Sequence, residues 1–191
     1  MIERDSLLSL EAYARQRPAF RARVMEHKKR RTVHLGAHVT LLFEDELTIR
    51  YQVQEMLRIE RIFEEEGIQH ELDAYNPLVP DGSNWKATML IEYPDEAQRK
   101  RMLGALKGIE RRVWIEVAGA ARVHAIADED LERENEQKTS SVHFLRFELT
   151  REMVETLKYG VALSMGVDHA QYRATAELSA EQRAALASDL D

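Results

Sequence analysis

Apolar and polar positions change period twice in the first third of the chain. From Ile49 to Phe63 the repeat is helical: at about 100° per residue with Ile49 at zero, Val53 falls at about +40°, Met56 at about −20° and Phe63 at about −40°. Glu60 falls at about +20°, inside that stripe, with Gln52 at about −60° on its edge. A carboxylate in an apolar stripe is expensive to bury unless it is paired, protonated or metal-bound. Glu60 is therefore expected to be largely buried against a cation: Arg146, another arginine or a metal ion.

The preceding segment, Thr32–Phe43, alternates with period two and puts Val33, Leu35, Ala37, Val39, Leu41 and Phe43 on one face of a strand, unless Gly36 folds it into two arms of a turn. Ser9 is placed to cap a helix starting at Leu10, which Pro18 breaks or restarts. A second stretch then runs through Phe20 and Val24 to a basic end at Lys28–Arg31, which suits the negative pole of a helix. Glu44 and Asp45 lead into the long helix, whose expected end is a left-handed cap at Gly67.

Downstream, Asn76-Pro77 and Pro80-Asp81-Gly82 mark a loop. Trp85–Tyr93 reads as a strand, and Pro94-Asp95 opens a helix closed by Gly108. Arg112–Val117 and Arg122–Ala127 read as a hairpin around Gly119, followed by a polar connection over Asp128–Thr139. Ser141–Leu149 reads as a central strand and Thr150 caps another helix. Strands near Val161–Val167 and Tyr172–Leu178 bracket Asp168-His169. Ser179 and Gln182 form a capping box for the last helix. Strands interleaved with helices predict an α+β fold, a mostly antiparallel sheet packed with helices. One domain over residues 1–191 is expected; whether residues 150–191 form a C-terminal subdomain stays open.

A length of 191 residues with 44% apolar and 32% charged positions is globular. The chain has no cysteine, which excludes disulfides, thiol nucleophiles and any cluster held by its own thiolates. No apolar leader or long apolar run is present, so a cytoplasmic protein without membrane insertion is expected.

The net charge of −7 is uneven, because Arg15–Arg31 holds eight basic residues against Glu26 alone. Nine acids between Glu44 and Glu71 face only Arg50, Arg58 and Arg61. Packing of the basic segment against the acidic helix is the expectation. Nucleic-acid binding is the disfavoured alternative, since no aromatics alternate with the basic residues.

Polar residues in core-like places supply the candidate chemistry. His143 shares a strand face with Leu145 and Phe147, Arg146 lies on the opposite face, and Glu92 ends the Lys86, Thr88, Leu90 face. Glu60, Glu92, His143 and Arg146 are the pocket candidates. Glu60, Glu92 and His143 are the candidate ligands for iron or another divalent metal, being carboxylates and an imidazole. Hydrogen bonds within a core would account for the same residues, and no Glu-x-x-His pair or phosphate-loop signature is present.

The runs LLFEDELTIRYQVQEMLRIERIF (Leu41–Phe63), ELDAYNPLVPDGSNWKATMLIEYPD (Glu71–Asp95), KTSSVHFLRFEL (Lys138–Leu149) and GVDHAQY (Gly166–Tyr172) resemble a bacterial family of unknown function. Its genes often neighbour a rubrerythrin and an iron–sulfur oxidoreductase resembling heterodisulfide reductase. The resemblance implies a redox or peroxide-defence setting with the rubrerythrin or the iron–sulfur oxidoreductase as a partner, and it implies no catalytic residues. Two functions are open: an accessory metal- or partner-binding component of such a system, or a small-molecule enzyme using a carboxylate and histidine pocket.

Overall fold

The computed structural model describes residues 1–191, which divide into two compact units. The helical unit comprises Met1–Arg30 and Glu44–Pro80, and the sheet unit Arg31–Phe43 and Asp81–Asp191.

In the helical unit, Ser9 caps α1 (Leu10–Lys29) by accepting from the Ala12 N–H at 3.2 Å. Pro18 does not break this helix, contrary to expectation. Pro18 and Ala14, whose carbonyl loses its helical donor, are both exposed, so that carbonyl is open to solvent and is not left buried without a partner. Asp45 and Thr48 form a reciprocal capping box for α2 (Glu46–Glu60). That helix stops earlier than its pattern predicts. Arg61 adopts a left-handed conformation (φ 55°), and α3 (Glu65–Tyr75) restarts with Glu65 and Glu66 at the positive pole of its dipole. Gly67 lies inside α3, not at a cap. The core is Ile49, Val53 and Leu57 of α2 with Ile68 and Leu72 of α3, closed by Ile2 and Leu7.

The sheet unit is antiparallel and has nine strands in two sheets. Gly36 (φ 73°) does split Thr32–Phe43, giving β1 (Thr32–Leu35) and β2 (Val39–Glu44) in a hairpin with Val33 opposite Leu41. β3 (Asn84–Ile91) pairs with β7 (Val142–Glu148) in a register that sets Lys86 opposite Arg146 and Met89 opposite His143. Between them come α4 (Glu96–Ala105), β4 (Val113–Val117), β5 (Val123–His124) and β6 (Ile126–Ala127). α5 (Arg151–Lys158), β8 (Leu163–His169), β9 (Tyr172–Glu177) and α6 (Ala180–Ala187) complete the chain. The strand orders are β1-β2-β3-β7-β6 and β5-β4-β8-β9.

One apolar cluster, including Phe43, Trp85, Phe147, Ile115 and Met165, draws on both sheets. Gly166 of β8 is required by close approach: a Cβ there would lie 2.3 Å from the Trp114 ring and 2.7 Å from the Ala174 carbonyl. Ser179 and Gln182 form the expected capping box on α6. Arg31, almost wholly buried, forks onto the Asp189 carboxylate and so ties the C-terminal segment to the start of β1.

Candidate functional site

The four pocket candidates meet different surroundings. Glu60 is exposed, which corrects the expectation of a buried, cation-paired carboxylate. The stripe that reaches the core is Ile49, Val53 and Leu57; Glu60 lies on the turn beyond it, just before α2 ends. Phe63, which helped define the expected stripe, lies outside the helix and is 72% exposed. The buried polar residues of α2 are Thr48, which belongs to the capping box, and Gln54, whose Oε1 accepts from the Leu8 N–H at 2.7 Å and whose Nε2 donates to the Leu8 carbonyl at 3.3 Å.

His143 is wholly buried. Its Nδ1 meets Asp128 Oδ2 at 2.6 Å, and its Nε2 lies 3.0 Å from Thr139 Oγ1 and 3.1 Å from the Ser140 carbonyl. Asp128, held at φ 51°, also accepts from the Phe144 N–H and from Arg133. Arg133 lies over the Phe144 ring, 4.6 Å from its centroid. These contacts fasten both ends of the irregular 128–141 connection to β7, because a buried imidazole forces its neighbours to satisfy it.

Arg146 lies on the other face of β7. It forks onto Glu129 at 2.8 and 2.9 Å and also pairs with Glu148. The hydrogen bond from Arg146 is the main reason that the Glu129 carboxyl is held below its usual range. Glu92 is exposed and accepts from the Thr40 hydroxyl at 2.7 Å. No three His, Asp or Glu side chains are grouped to hold a metal ion, so Glu60, Glu92 and His143 are not brought together as ligands.

The basic segment divides its roles. Arg17 forks onto Glu55 at 2.6 and 2.8 Å, and the buried Tyr13 hydroxyl donates to the same carboxylate at 2.6 Å. Arg17 is the main reason that the Glu55 carboxyl is lowered to about 2, while burial foremost, and then Glu55, pushes the Tyr13 phenol up. This is the expected packing of basic helix on acidic helix.

Arg15 and Arg23 take no part in it. They stand two turns apart on α1 with Ala19 between them, beside Gln16 and Phe20. Arg50 and Gln54 of α2 line the other side, and the groove measures about 610 Å³. Arg15 makes no hydrogen bond or ion pair, and Arg23 lies 5.2 Å from the Phe20 ring centroid. Arg50 pairs with Glu46 and donates to the Ser6 carbonyl at 3.3 Å. Guanidinium groups over an apolar floor can bind carboxylates and stack on planar groups. Reading the basic block only as a sum of charge misses this groove. The signal that finds it is spacing: Arg15, Ala19 and Arg23 repeat every four residues, as do Gln16 and Phe20.

The family model for proteins of unknown function designated DUF3501 matches residues 1–190. The chain belongs to the DUF3501 family. This DUF3501 chain is similar to a solved protein of unknown function from Burkholderia pseudomallei, at 59% identity and a TM-score of 0.95, over 100% of this chain and 99% of the other. No curated protein matches it. No helix of this DUF3501 chain is long and apolar enough to cross a membrane.

Proposed function

We propose that the chain is an accessory, partner-binding component of a redox or peroxide-defence system, and that it docks an acidic segment of its partner in the groove of Arg15, Arg23 and Arg50. The observation that carries this reading is the contrast between the two sets of polar residues. His143 and Arg146 are engaged within the fold, whereas Arg15 has no partner and faces an apolar-floored groove. An exposed guanidinium without a partner, set beside an apolar surface, is free to take a carboxylate brought by another molecule. The rubrerythrin and the heterodisulfide-reductase-like oxidoreductase implied by the family resemblance are the candidates. Co-purification of each with the tagged protein tests the proposal. Retention of one of them, lost in the Arg15→Glu/Arg23→Glu variant and weakened by salt, is expected; failure to retain either, or equal retention by the variant, would overturn it.

A small-molecule enzyme is the second reading, and the Asp128–His143–Thr139 row supports it. Thr139 also lines a groove of about 280 Å³ with Arg133 and Ser140. His143→Asn abolishing turnover of a metabolite without unfolding the chain would favour this reading over the first.

A further inference from the structure

The sheet unit carries a second basic groove, of about 610 Å³, between the α4–β4 connection and the β8–β9 turn. One wall is Lys107, Arg111 and Arg112, and the other is Asp168, His169 and Arg173. The walls are held together through one imidazole. His169 Nε2 donates to the Lys107 carbonyl at 2.9 Å, and the Gln171 N–H donates to His169 Nδ1 at 3.1 Å. A carbonyl only accepts and an amide N–H only donates, so Nε2 carries the proton and Nδ1 the lone pair. His169 is thus a strut of the groove, and the cations on either side are left to face its interior.

The cations are weakly engaged. Arg112 has no hydrogen bond or ion pair, and Lys107 donates only to the Glu136 carbonyl at 3.1 Å. Arg111 lies 3.5 Å from Glu110, and Arg173 pairs at 3.2 Å with Asp168, where both side chains are largely exposed. The Arg173–Asp168 pair, exposed on both sides, contributes little and exchanges readily for a stronger anion, and the Arg111 guanidinium, itself exposed, reaches the buried Glu110 carboxylate only at that longer distance. Gly108, at φ 76°, leaves open space in which a Cβ would meet nothing within 4 Å. Apart from the His169 imidazole, whose two nitrogens are both engaged, no aromatic ring lines the groove, and Ala170 is its one apolar side chain.

We infer that this groove binds a small, multiply charged oxyanion of the kind presented by a di- or triphosphate chain. Four cations on two walls exceed what one phosphate can use. The fork geometry of arginine matches phosphate oxygens. With no Phe, Tyr or Trp ring to stack on, recognition falls on the charged chain, not on a base attached to it. The site is in the other unit from the Arg15 groove and does not depend on the proposed partner.

Calorimetric titration of the intact protein tests the inference, with orthophosphate, pyrophosphate, tripolyphosphate and citrate as probes at low and at physiological salt. Tripolyphosphate is expected to bind more tightly than pyrophosphate, and both more tightly than orthophosphate. Citrate separates a general polyanion site, where it competes, from a phosphate site, where it does not; either result supports a multiply charged oxyanion. Arg112→Ala/Arg173→Ala is expected to weaken tripolyphosphate binding by about tenfold or more, since charge-assisted hydrogen bonds are lost. Arg151→Ala, which removes an exposed cation of α5 outside both grooves, should leave it unchanged. A matching circular-dichroism spectrum and melting temperature would show the double variant folded, and His169→Asn, which loosens the strut without removing a cation, gives a second reading of the same site. No binding of any probe, equal binding by the double variant, or binding of single-stranded nucleic acid without binding of polyphosphates would overturn the inference.

Discussion

Replacing Glu55 by Gln removes one charge from the joint between α1 and α2 while keeping the shape of the side chain. Glu55 takes four hydrogen bonds, two from Arg17, one from Tyr13 and a long one from Arg58 at 3.5 Å, and its side chain is 17% exposed. A carboxyl lowered from 4.5 to about 2 corresponds to about 3 kcal/mol of native-state stabilisation. Arg17 is one-third exposed, and solvent screening reduces the expected value to about 2 kcal/mol. The native carboxyl binds its proton only near pH 2 and the unfolded one near 4.5. The stabilisation is therefore complete above about pH 5 and drains away as pH falls towards 2. Urea unfolding of wild type and Glu55→Gln at pH 7 and at steps down to pH 2.5, followed by circular dichroism and by amide exchange in α1, measures both effects. The variant should be less stable by about 2 kcal/mol at pH 7, and the difference should shrink as the solution is acidified. Equal stability at pH 7, or a gap that does not change with pH, would show that the Arg17–Glu55–Tyr13 joint contributes nothing beyond its contacts.

Two further outcomes are expected. Gly166→Ala should cost about 1–3 kcal/mol and shift tryptophan emission, because the new methyl meets the Trp114 ring and a backbone carbonyl that cannot move aside; an unchanged melt would refute the close packing. Asp128→Ala removes the acceptor for His143, Phe144 and Arg133 and should cost about 3 kcal/mol. It should also speed tryptic cleavage in the 128–141 connection, and cleavage at the wild-type rate would show that the connection is fastened by other contacts.

Period and capping chemistry made most elements legible in the sequence. Ser9, Asp45, Thr150 and Ser179 all open helices, since an N-cap is a local event that needs only its own first turn. The antiparallel pairing was legible as well, through alternation and turn glycines. The end of α2 was not. A wheel drawn from Ile49 to Phe63 assumes one continuous helix, but the left-handed Arg61 ends it two residues before Phe63, so the buried stripe stops at Leu57 and Glu60 lies on a last turn that the core does not reach. The partners of His143 were equally hidden, because Asp128 and Thr139 lie in a connection without regular period. The two grooves depend on which arginines are left without a partner, and that is settled by the other units of charge around them.

The sheet unit is discontinuous in sequence: the β1–β2 hairpin is translated before α2 and α3, yet β2 finds its neighbour β3 only after Pro80. During synthesis the hairpin's Val33, Leu35, Val39, Leu41 and Phe43 must wait, uncovered, while some forty intervening residues emerge. A fragment ending at Pro80 would carry that hairpin with no sheet to join, so cutting the gene there yields an aggregation-prone strand pair. Either unit could be obtained alone only by splicing its two segments directly together, Arg30 to Glu44 in one case and Phe43 to Asp81 in the other.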